Sequence, residues 1–478
     1  MSPADRHALV IGAGIAGLLA ARVLAEFCTR VTILERDTGD AGEVRRGVGQ
    51  GRHLHGLLDR GRAIIEELYP GYTDDLVAAG ARTTEVLVGT RWYIGGSRLR
   101  ATPTGLTSVI ATRPLLESVL RRRTLELPNV VLREGITVRG LIGDAERITG
   151  VRMSARRGRY PDIDLGAAGD DLAVDEGARP NRRAEVADPA DIEVVGCDLV
   201  VDASGRGSRI CEWLRTIGAE TPEEERLEVD LGYASRLYRH RDGLLDGHAS
   251  VIISTGADGH GGGAVHVESD RWLVTLAGMM GDHPPTDPAG FQAYAATLPA
   301  SDIHEIITAA DPLGDAVPYR FRSSVRRRFD RQPAVPAGLV VLGDAQCAFN
   351  PLYAQGMTVA ALQAAALREC LRTGLPFAEL PARFYAAASA ATATAWQLAA
   401  ASDLRHRAVV GRRDLRTTLT NAYVAQAHRA AHRDALVART FMRVAHLVDP
   451  PAALTSPAMA GRIMLRGNGA AITLSAHH

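Results

Sequence analysis

The residues best suited to chemistry lie at two glycine-rich junctions far apart in the chain. Near the carboxyl-terminal side, an apolar run at 339–342 ends in Gly343 and Asp344, and a loop with Pro351 and Gly356 precedes an alanine- and leucine-rich helical stretch at 357–371. A strand, loop and helix start of this kind presents free amide groups and a positive dipole end to an anion or an electron-rich ring. An ordinary loop before a core helix has the same pattern, so the second junction decides between them.

That second junction opens the chain. An apolar run at 8–11 leads directly into Gly12, Gly14 and Gly17, and a second apolar run at 31–34 ends at Glu35, eighteen residues after the last glycine. The glycines permit a tight turn and close approach of a pyrophosphate, while the carboxylate would accept hydrogen bonds from a ribose. This context predicts a dinucleotide site. It disfavours a buried turn without a ligand, and the interrupting glycines disfavour a signal peptide.

Composition excludes several function classes. All 55 basic residues are arginine, so a phosphate-loop lysine and a pyridoxal phosphate Schiff base are impossible. The 55 acidic residues balance them, which predicts no nucleic acid partner. Five widely spaced cysteines predict reduced thiols and a cytoplasmic protein, and the spacing of the carboxyl-terminal histidines predicts no metal site. No apolar run is long enough to predict an integral membrane segment.

The elements that must position the junctions predict an α/β fold. Strand-like runs at 231–238, 249–254, 263–267 and 271–277 without intervening helices indicate an antiparallel sheet. We therefore predict a discontinuous Rossmann-like cofactor-binding domain at 1–80, 105–228 and 335–371, and an antiparallel-sheet substrate-binding domain at 81–104 and 229–334. Residues 372–478 are predicted to form a helical carboxyl-terminal region, and residues 156–191, rich in Gly, Pro, Asp and Arg, a mobile loop.

A loop dense in glycine and cations follows the first junction. Arg45 or Arg46 would neutralise a pyrophosphate by bidentate contact. His53 and His55 are either catalytic groups or loop residues whose rings satisfy backbone groups, and we favour the second interpretation.

In order and spacing, these motifs resemble the FAD-dependent class A monooxygenases with the fold of para-hydroxybenzoate hydroxylase. The resemblance covers most of residues 8–371 and includes the glycine turn, Glu35, Arg113 at a helix start, the segment 201–205 and the Gly343–Asp344 pair. Stretches 46–55, 202–208 and 349–357 look most like bacterial olefin epoxidases of polyether antibiotic pathways, relatives of squalene epoxidase.

The resemblance implies FAD as cofactor, and hence a Rossmann-like FAD-binding domain. It places the glycine turn at the pyrophosphate, Glu35 at the adenosine ribose, Asp344 at the ribityl chain, and Pro351 and Gly356 along the flavin ring. The implied cofactor-binding residues are Gly12, Gly14, Ala16, Gly17, Glu35, Arg36, Arg46, Arg113, Asp202, Gly343, Asp344, Pro351, Gly356 and Met357. It assigns no catalytic side chain, because the oxidant would be the flavin C4a-hydroperoxide.

The implied reaction is oxygen transfer from dioxygen to an alkene of a hydrophobic polyketide or isoprenoid intermediate of antibiotic biosynthesis. NADPH or NADH would reduce the flavin, directly or through a separate flavin reductase. The electron source stays open because Ala203 follows Asp202 where an Asp-Gly pair is linked to nicotinamide binding. From their positions in the covering sheet, the candidates to line an apolar substrate pocket are Trp92, Tyr93, Trp272 and Met279, with core packing as the default interpretation for each.

Other activities share this set of motifs. An aromatic hydroxylase would use the same FAD residues, and so would a reductase that saturates isoprenoid chains. A flavin halogenase requires an active-site lysine, which this chain lacks, together with a Trp-x-Trp-x-x-Pro segment that is also missing. A flavin-binding regulatory or structural protein is the alternative outside the enzymes.

Overall fold

The structure is a computed structural model, and it describes residues 4–39, 49–155, 191–256, 258–406, 408–411, 413 and 415–467. Arg46 and nearly all of the predicted mobile loop, residues 156–190, lie outside these ranges. The strands are β1 (Ala4–Ile11), β2 (Cys28–Leu34), β3 (Arg82–Glu85), β4 (Thr90–Ile94), β5 (Ser97–Arg98), β6 (Thr107–Ile110), β7 (Val130–Arg133), β8 (Ile136–Gly143), β9 (Ile148–Ala155), β10 (Ile192–Gly196), β11 (Leu199–Asp202), β12 (Glu224–Arg239), β13 (Ser250–Ile253), β14 (His260–Val267), β15 (Arg271–Gly278), β16 (Val317–Arg327), β17 (Leu339–Val341) and β18 (Cys347–Ala348).

The helices extend from the amino-terminal junction to the carboxyl-terminal region. They are α1 (Ile15–Leu24), α2 (Asp59–Leu68), α3 (Tyr72–Ala78), α4 (Arg113–Leu125), α5 (Ile210–Thr216), α6 (Pro288–Ala296), α7 (Asp302–Ala309), α8 (Gly356–Arg372), α9 (Leu380–Asp403), α10 (Leu415–Ala431), α11 (Ala435–Ala445), α12 (Ala452–Thr455) and α13 (Pro457–Gly467). None of them, within the ranges above, is long and apolar enough to cross a membrane.

A five-stranded parallel sheet places both predicted junctions at one edge. Its order is β17-β11-β1-β2-β7, and all neighbouring strands are parallel. Ile11 is paired with Asp202, which is paired in turn with Val341, so β1, β11 and β17 end side by side. Because the carboxyl ends of parallel strands meet at one edge, the Gly12 turn and the Gly343 turn become neighbours there although they are more than 300 residues apart in the chain.

An eight-stranded sheet, antiparallel apart from one strand pair, contains most of the predicted covering region. Its order is β18-β16-β12-β15-β14-β13-β4-β5, and only β13 and β4 run parallel. Ser235 is paired with Thr275 on one face, while Tyr238 and Trp272 are paired on the other, as alternation along a strand requires. The first face is turned toward the parallel sheet, since the loop after residue 52 lies on it.

Helices complete the core around the two sheets. α8 packs against α1, α2 and α9, so the second junction is fixed directly to the first. α6 and α7 cover the outer face of the eight-stranded sheet, and α10 to α13 form an apolar cluster with β4 and its neighbours. The predicted fold class, α/β with an antiparallel sheet and a helical carboxyl-terminal region, is confirmed. The exact domain boundaries stay a prediction.

Candidate cofactor and active site

The turn after β1 is built from glycines that the fold itself requires. Gly12 has a φ of +98°, and an added Cβ would lie 2.7 Å from the carbonyl oxygen of Ala203. At Gly17 an added Cβ would lie 1.9 Å from the carbonyl oxygen of Gly12. Gly14 precedes α1 and provides no side-chain cap, and the first turn of α1 has no acidic residue. The helix start is therefore suited to an anion such as a pyrophosphate.

Glu35 lies at the end of β2 beside this turn. Its Oε2 accepts a 2.7 Å hydrogen bond from the Ala13 amide, and its Oε1 accepts one of 2.9 Å from the Asp37 amide. The side chain is buried. This position fits the predicted ribose contact, and the neighbouring Arg36 is exposed.

Asp344 lies where the two junctions meet. Gly343, with a φ of +65°, packs so closely on Ala16 that an added Cβ would lie 2.6 Å from the alanine Cβ. The half-buried Asp344 carboxylate accepts no hydrogen bond from the residues that the structure describes. Burial raises the pKa of this carboxyl, while the charges of Arg206 and Arg113 lower it. A carboxylate under the influence of two positive charges can accept hydrogen bonds from a polyhydroxyl chain.

Arg113 lies at the start of α4, and its positive charge acts on Asp344. Thr112 caps this helix by accepting a hydrogen bond from the Leu115 amide, and Pro114 follows in its first turn. The Arg113 Nε donates a 2.7 Å hydrogen bond to Glu117 one turn later. This local pairing fixes the guanidinium at the start of α4, and its predicted contact with the cofactor stays a prediction.

Arg206 is the second cation, and the turn after β11 carries it. Asp202 holds this turn, because its Oδ1 accepts from the Ser204 amide and hydroxyl and its Oδ2 accepts a 2.6 Å bond from the Ser208 hydroxyl. Asp202 has no exposed surface and holds this turn in place, and its expected contact with the cofactor stays a prediction. The Arg206 guanidinium lies over the rings of Tyr319 and Phe321, 5.4 and 5.1 Å from their centroids.

The loop before α8 closes the site from the other side. Pro351 lies in a short 3-10 turn that is fixed at both ends, since Asn350 caps Leu352 and Tyr353 bonds to α9. α8 then begins at Gly356 without a side-chain cap and without an acid in its first turn. The ideal Cβ position of Gly356 is 3.5 Å from Asp344 Oδ1, whereas Met357 is buried in the core. The start of α8 thus adjoins Asp344.

A buried polar cluster connects the site to the eight-stranded sheet. His53 is only 1% exposed, and its Nδ1 lies 2.7 Å from the Ser235 hydroxyl, which is itself 2.6 Å from Thr275. Its Nε2 has no partner among the described residues. Burial lowers the pKa of His53 to about 4, so this ring is neutral at pH 7. The sequence carries no signal for this contact, because Ser235 is 182 residues from His53.

His55 is a loop residue whose ring contacts a backbone group, which is the interpretation favoured from the sequence. Its Nδ1 lies 2.9 Å from the His53 carbonyl oxygen, so the ring satisfies a backbone group as predicted. Burial, reinforced by the Arg113 charge, lowers the pKa of His55 to about 3.

Two tyrosines that the sequence analysis missed form an aromatic wall beside these groups. The rings of Tyr233 and Tyr319 are stacked 6.2 Å apart, and the His53 ring is 5.1 Å from that of Tyr319. The Tyr319 hydroxyl is buried and has no partner in the described parts of the chain. Burial raises the pKa of both phenols, so they stay uncharged. Alternation along β12 and β16 was the only available signal, and it does not reveal which face meets the site.

Of the four residues predicted to line a substrate pocket, only Met279 packs in the apolar cluster that contains this wall. Trp272 and Tyr93 belong to the core on the opposite face of the sheet, under α6 and α7. Trp92 packs against the carboxyl-terminal helices, and its indole Nε1 donates to Ser254. For these three aromatics the core-packing alternative describes their surroundings, because side chains alternate between the two faces of a strand.

Similarity to solved structures establishes the class of fold. The flavin-dependent brominase Bmp2 superposes with a TM-score of 0.63 at 16% identity, over 96% of this chain and 98% of that one. A flavoprotein/dehydrogenase from Cytophaga hutchinsonii gives 0.62 at 15% identity, over 96% and 99% of the two chains. The p-nitrophenol 4-monooxygenase PnpA from Pseudomonas putida DLL-E4 gives 0.58 at 15% identity, over 93% and 98%. The protein therefore has the fold of the flavin-dependent monooxygenases of the para-hydroxybenzoate hydroxylase class.

Sequence similarity identifies the particular family. No family model matches the chain. It is, however, 32% identical over 473 residues to Protein Rv3254 of Mycobacterium tuberculosis (strain ATCC 25618 / H37Rv), covering 96% of this chain and 93% of that protein. The protein belongs to the same family as Rv3254.

Proposed function

We propose that this protein is an FAD-dependent monooxygenase. The observation that carries the proposal is the convergence of two uncapped helix starts on one carboxylate, Asp344, that has no hydrogen-bond partner among the described residues. The start of α1 supplies amides for a pyrophosphate, and Asp344 supplies acceptors for ribityl hydroxyls. A junction that binds no ligand would gain nothing from a half-buried carboxylate without a hydrogen-bond partner, because removing such a group from water is costly.

The residues present fit FAD along its length. Gly12 and Gly14 would face the pyrophosphate, and Glu35 would accept hydrogen bonds from the adenosine ribose. Arg113 would bind near the phosphate or ribityl region, and Arg206, which the sequence analysis had not assigned, would add a second positive charge there. Pro351 and the amides at Gly356 and Met357 would lie along the isoalloxazine ring.

Bound FAD, once reduced, would supply the activation of dioxygen. The work left to the chain is to exclude water and to hold the substrate at the flavin edge. The wall of Tyr233, Tyr319 and Met279 and its apolar neighbours suits a hydrophobic substrate. We keep NADPH or NADH as reductant, used directly or through a separate flavin reductase, as part of the proposal.

For the substrate we propose an alkene of a hydrophobic polyketide or isoprenoid intermediate, which is converted to an epoxide. The supporting observation is that the titratable groups of the wall are neutral at pH 7: burial lowers the pKa of His53 and raises those of Tyr233 and Tyr319. An alkene accepts an oxygen atom without first losing a proton, whereas a phenol is activated by deprotonation. Aromatic hydroxylation is the main alternative, and the Tyr319 hydroxyl as a partner for a substrate phenol would favour it.

Halogenation is not part of the proposal. The likeness to the brominase Bmp2 concerns the fold, and this chain has no lysine to serve such a reaction.

A single-turnover experiment tests the proposal. The purified holoenzyme is reduced chemically without oxygen, given a polyene, and mixed with isotopically labelled dioxygen. We expect one labelled oxygen atom in an epoxide ring, detected by mass spectrometry. Label on an aromatic carbon of an aromatic substrate would establish the hydroxylase alternative, and anaerobic saturation of the polyene would establish a reductase. Absence of bound flavin in the purified protein would overturn the proposal altogether.

A further inference from the structure

We propose that His240, His266 and Asp270 form a binding site for a divalent transition metal ion, with zinc as the favoured ion. The three potential ligand atoms lie within 4.8 Å of one another. Two imidazole nitrogens and one carboxylate oxygen are a donor set that suits zinc, which accepts nitrogen and oxygen ligands and tolerates a water as fourth ligand.

The two histidines converge on one carboxylate oxygen. His266 Nε2 lies 2.8 Å from Asp270 Oδ1, and His240 Nδ1 lies 3.6 Å from the same atom. The two rings are stacked with centroids 3.6 Å apart and an angle of 7° between their planes. An imidazole binds a metal through the lone pair in its own ring plane, so one of the stacked rings must rotate to place both nitrogens about 2.0 to 2.2 Å from one ion.

The surrounding structure holds these rings in place. His240 follows β12, His266 lies on β14, and Asp270 lies in the turn before β15, so three segments of the sheet meet here. Trp272 packs against both imidazoles, and its ring centroid is 5.3 Å from that of each histidine. The His240 amide also donates a 3.1 Å hydrogen bond to the Asp270 carbonyl oxygen. The sheet therefore keeps the three donors close together, which lowers the entropic cost of binding an ion.

Access and charge also suit a bound cation. The Asp270 side chain is 68% exposed, which leaves a path from solvent, and the carboxylate of the fully exposed Asp242 lies 3.9 Å from His240 Nδ1 within reach of the fourth position. One positive group competes, because Arg82 Nη2 is 3.5 Å from Asp270 Oδ1. The half-exposed Arg82 side chain can move away into solvent when an ion binds.

This site is separate from the proposed flavin site. His266 is paired with Trp272 across β14 and β15, and Trp272 belongs to the core on the outer face of the sheet. The site was not foreseen from the sequence, which predicted no metal, because the ligands are 26 and 4 residues apart and only the strand register brings His240 to His266.

Calorimetric titration of Zn²⁺ into the metal-free, full-length holoenzyme at neutral pH tests the inference. We expect one ion per chain, with affinity reduced roughly tenfold or more by His266→Ala and by Asp270→Asn. Arg82→Gln should bind more tightly, because it removes the competing charge. His304→Ala, a histidine on α7 outside the cluster, is the matched control and should leave the affinity unchanged.

Circular dichroism and flavin content establish that each variant is folded, and Asp270→Asn changes a side chain that is 68% exposed while keeping an oxygen that can accept a hydrogen bond from His266. Failure of the wild-type protein to bind Zn²⁺ would overturn the inference. So would binding that neither Asp270→Asn nor His266→Ala weakens, because the ion would then be held elsewhere.

Discussion

The Tyr353 hydroxyl donates a 2.8 Å hydrogen bond to Asp403 Oδ1, although the two residues are 50 positions apart. The same oxygen accepts a 2.7 Å hydrogen bond from the Asn350 side-chain amide. Asp403 is the last residue of α9, so the end of this helix holds both ends of the Pro351 turn. The turn proposed to contact the flavin ring is thereby positioned by a residue outside the sequence motif.

Asp403 should make stability depend on pH. Burial raises its pKa to about 6, and Asp403 Oδ2 has no partner among the described residues. The folded state therefore binds the proton of Asp403 more tightly than the unfolded state does. The free energy of unfolding consequently falls by roughly 3 kcal/mol as pH rises from about 4 to 6, because the proton is lost over this range. Asp403→Asn keeps the oxygen that Tyr353 and Asn350 use. Denaturant unfolding at several pH values should show that the free energy of unfolding of this variant does not fall in this way between pH 4 and 6.

The control for this experiment is Asp403→Ala, which removes the acceptor as well as the charge. It should destabilise the protein at every pH by about 1 to 3 kcal/mol, because two buried donors lose their partner. Equal pH profiles of the wild type and Asp403→Asn would contradict the assignment.

Buried histidines should make the protein sensitive to acid. Burial lowers the pKa of His53 and His446 to about 4, and that of His428 to about 3. The unfolded state then binds more protons below pH 6.5, so stability falls as pH decreases, by on the order of 2 kcal/mol for each histidine at pH 5. The summed effect of the three histidines on the free energy of unfolding exceeds the opposite effect of Asp403. His446→Asn should reduce the difference in unfolding free energy between pH 7 and pH 5, and an unchanged difference would show that this ring does not titrate as described.

Gly14→Val should give a folded protein that retains no flavin. The backbone at Gly14 has a φ of −74° and a ψ of 177°, which other residues adopt without strain, but a branched side chain would occupy the space that a pyrophosphate needs. Absorbance at the flavin band and circular dichroism measure the two properties separately. Gly17→Val is the contrasting variant and should not fold, because its Cβ would collide with the Gly12 carbonyl. A Gly14→Val protein that is folded and retains its yellow flavin would disprove the proposed binding of the pyrophosphate at this turn.

Asp344→Asn should weaken FAD binding by about 10- to 100-fold. The change keeps the shape of the side chain but replaces one acceptor oxygen by an amide group that cannot accept, and a buried group left without its hydrogen bond costs about 1 to 3 kcal/mol. Fluorescence titration of the flavin-free protein gives the dissociation constant. Glu126→Gln, at an exposed position after α4, is a matched control for a change of charge alone. Equal affinities of the wild type and Asp344→Asn would remove Asp344 from the cofactor site.

Replacing residues 156–191 by a tight turn should leave flavin content and turnover close to wild type. β9 and β10 are already paired next to this segment, with Ser154 opposite Ile192, so a short connection can close the hairpin. A folded, flavin-replete deletion variant without activity would show that the segment has a functional role.

Local patterns were sufficient for much of the fold and part of the site. The apolar run and glycines at 8–17 predict a strand, a turn and a helix because the turn allows few residue types, and the structure adds that Gly12 and Gly17 have no room for a Cβ. The helix predicted at 357–371 is observed as α8, from Gly356 to Arg372. The antiparallel covering sheet and the helical carboxyl-terminal region were likewise predicted, because each depends on periodicity within a short segment.

Contacts between distant segments were decided only by the tertiary structure. His53 meets Ser235, Arg206 meets Tyr319, and Asp403 meets Tyr353 because strand order and register bring them together. Trp272 shows the converse, since its residue type suggested a substrate contact while alternation along β15 directs it into the opposite core. A sequence specifies which residues lie on one face of a strand, but the face that meets the cofactor depends on how two sheets pack, which no local pattern encodes.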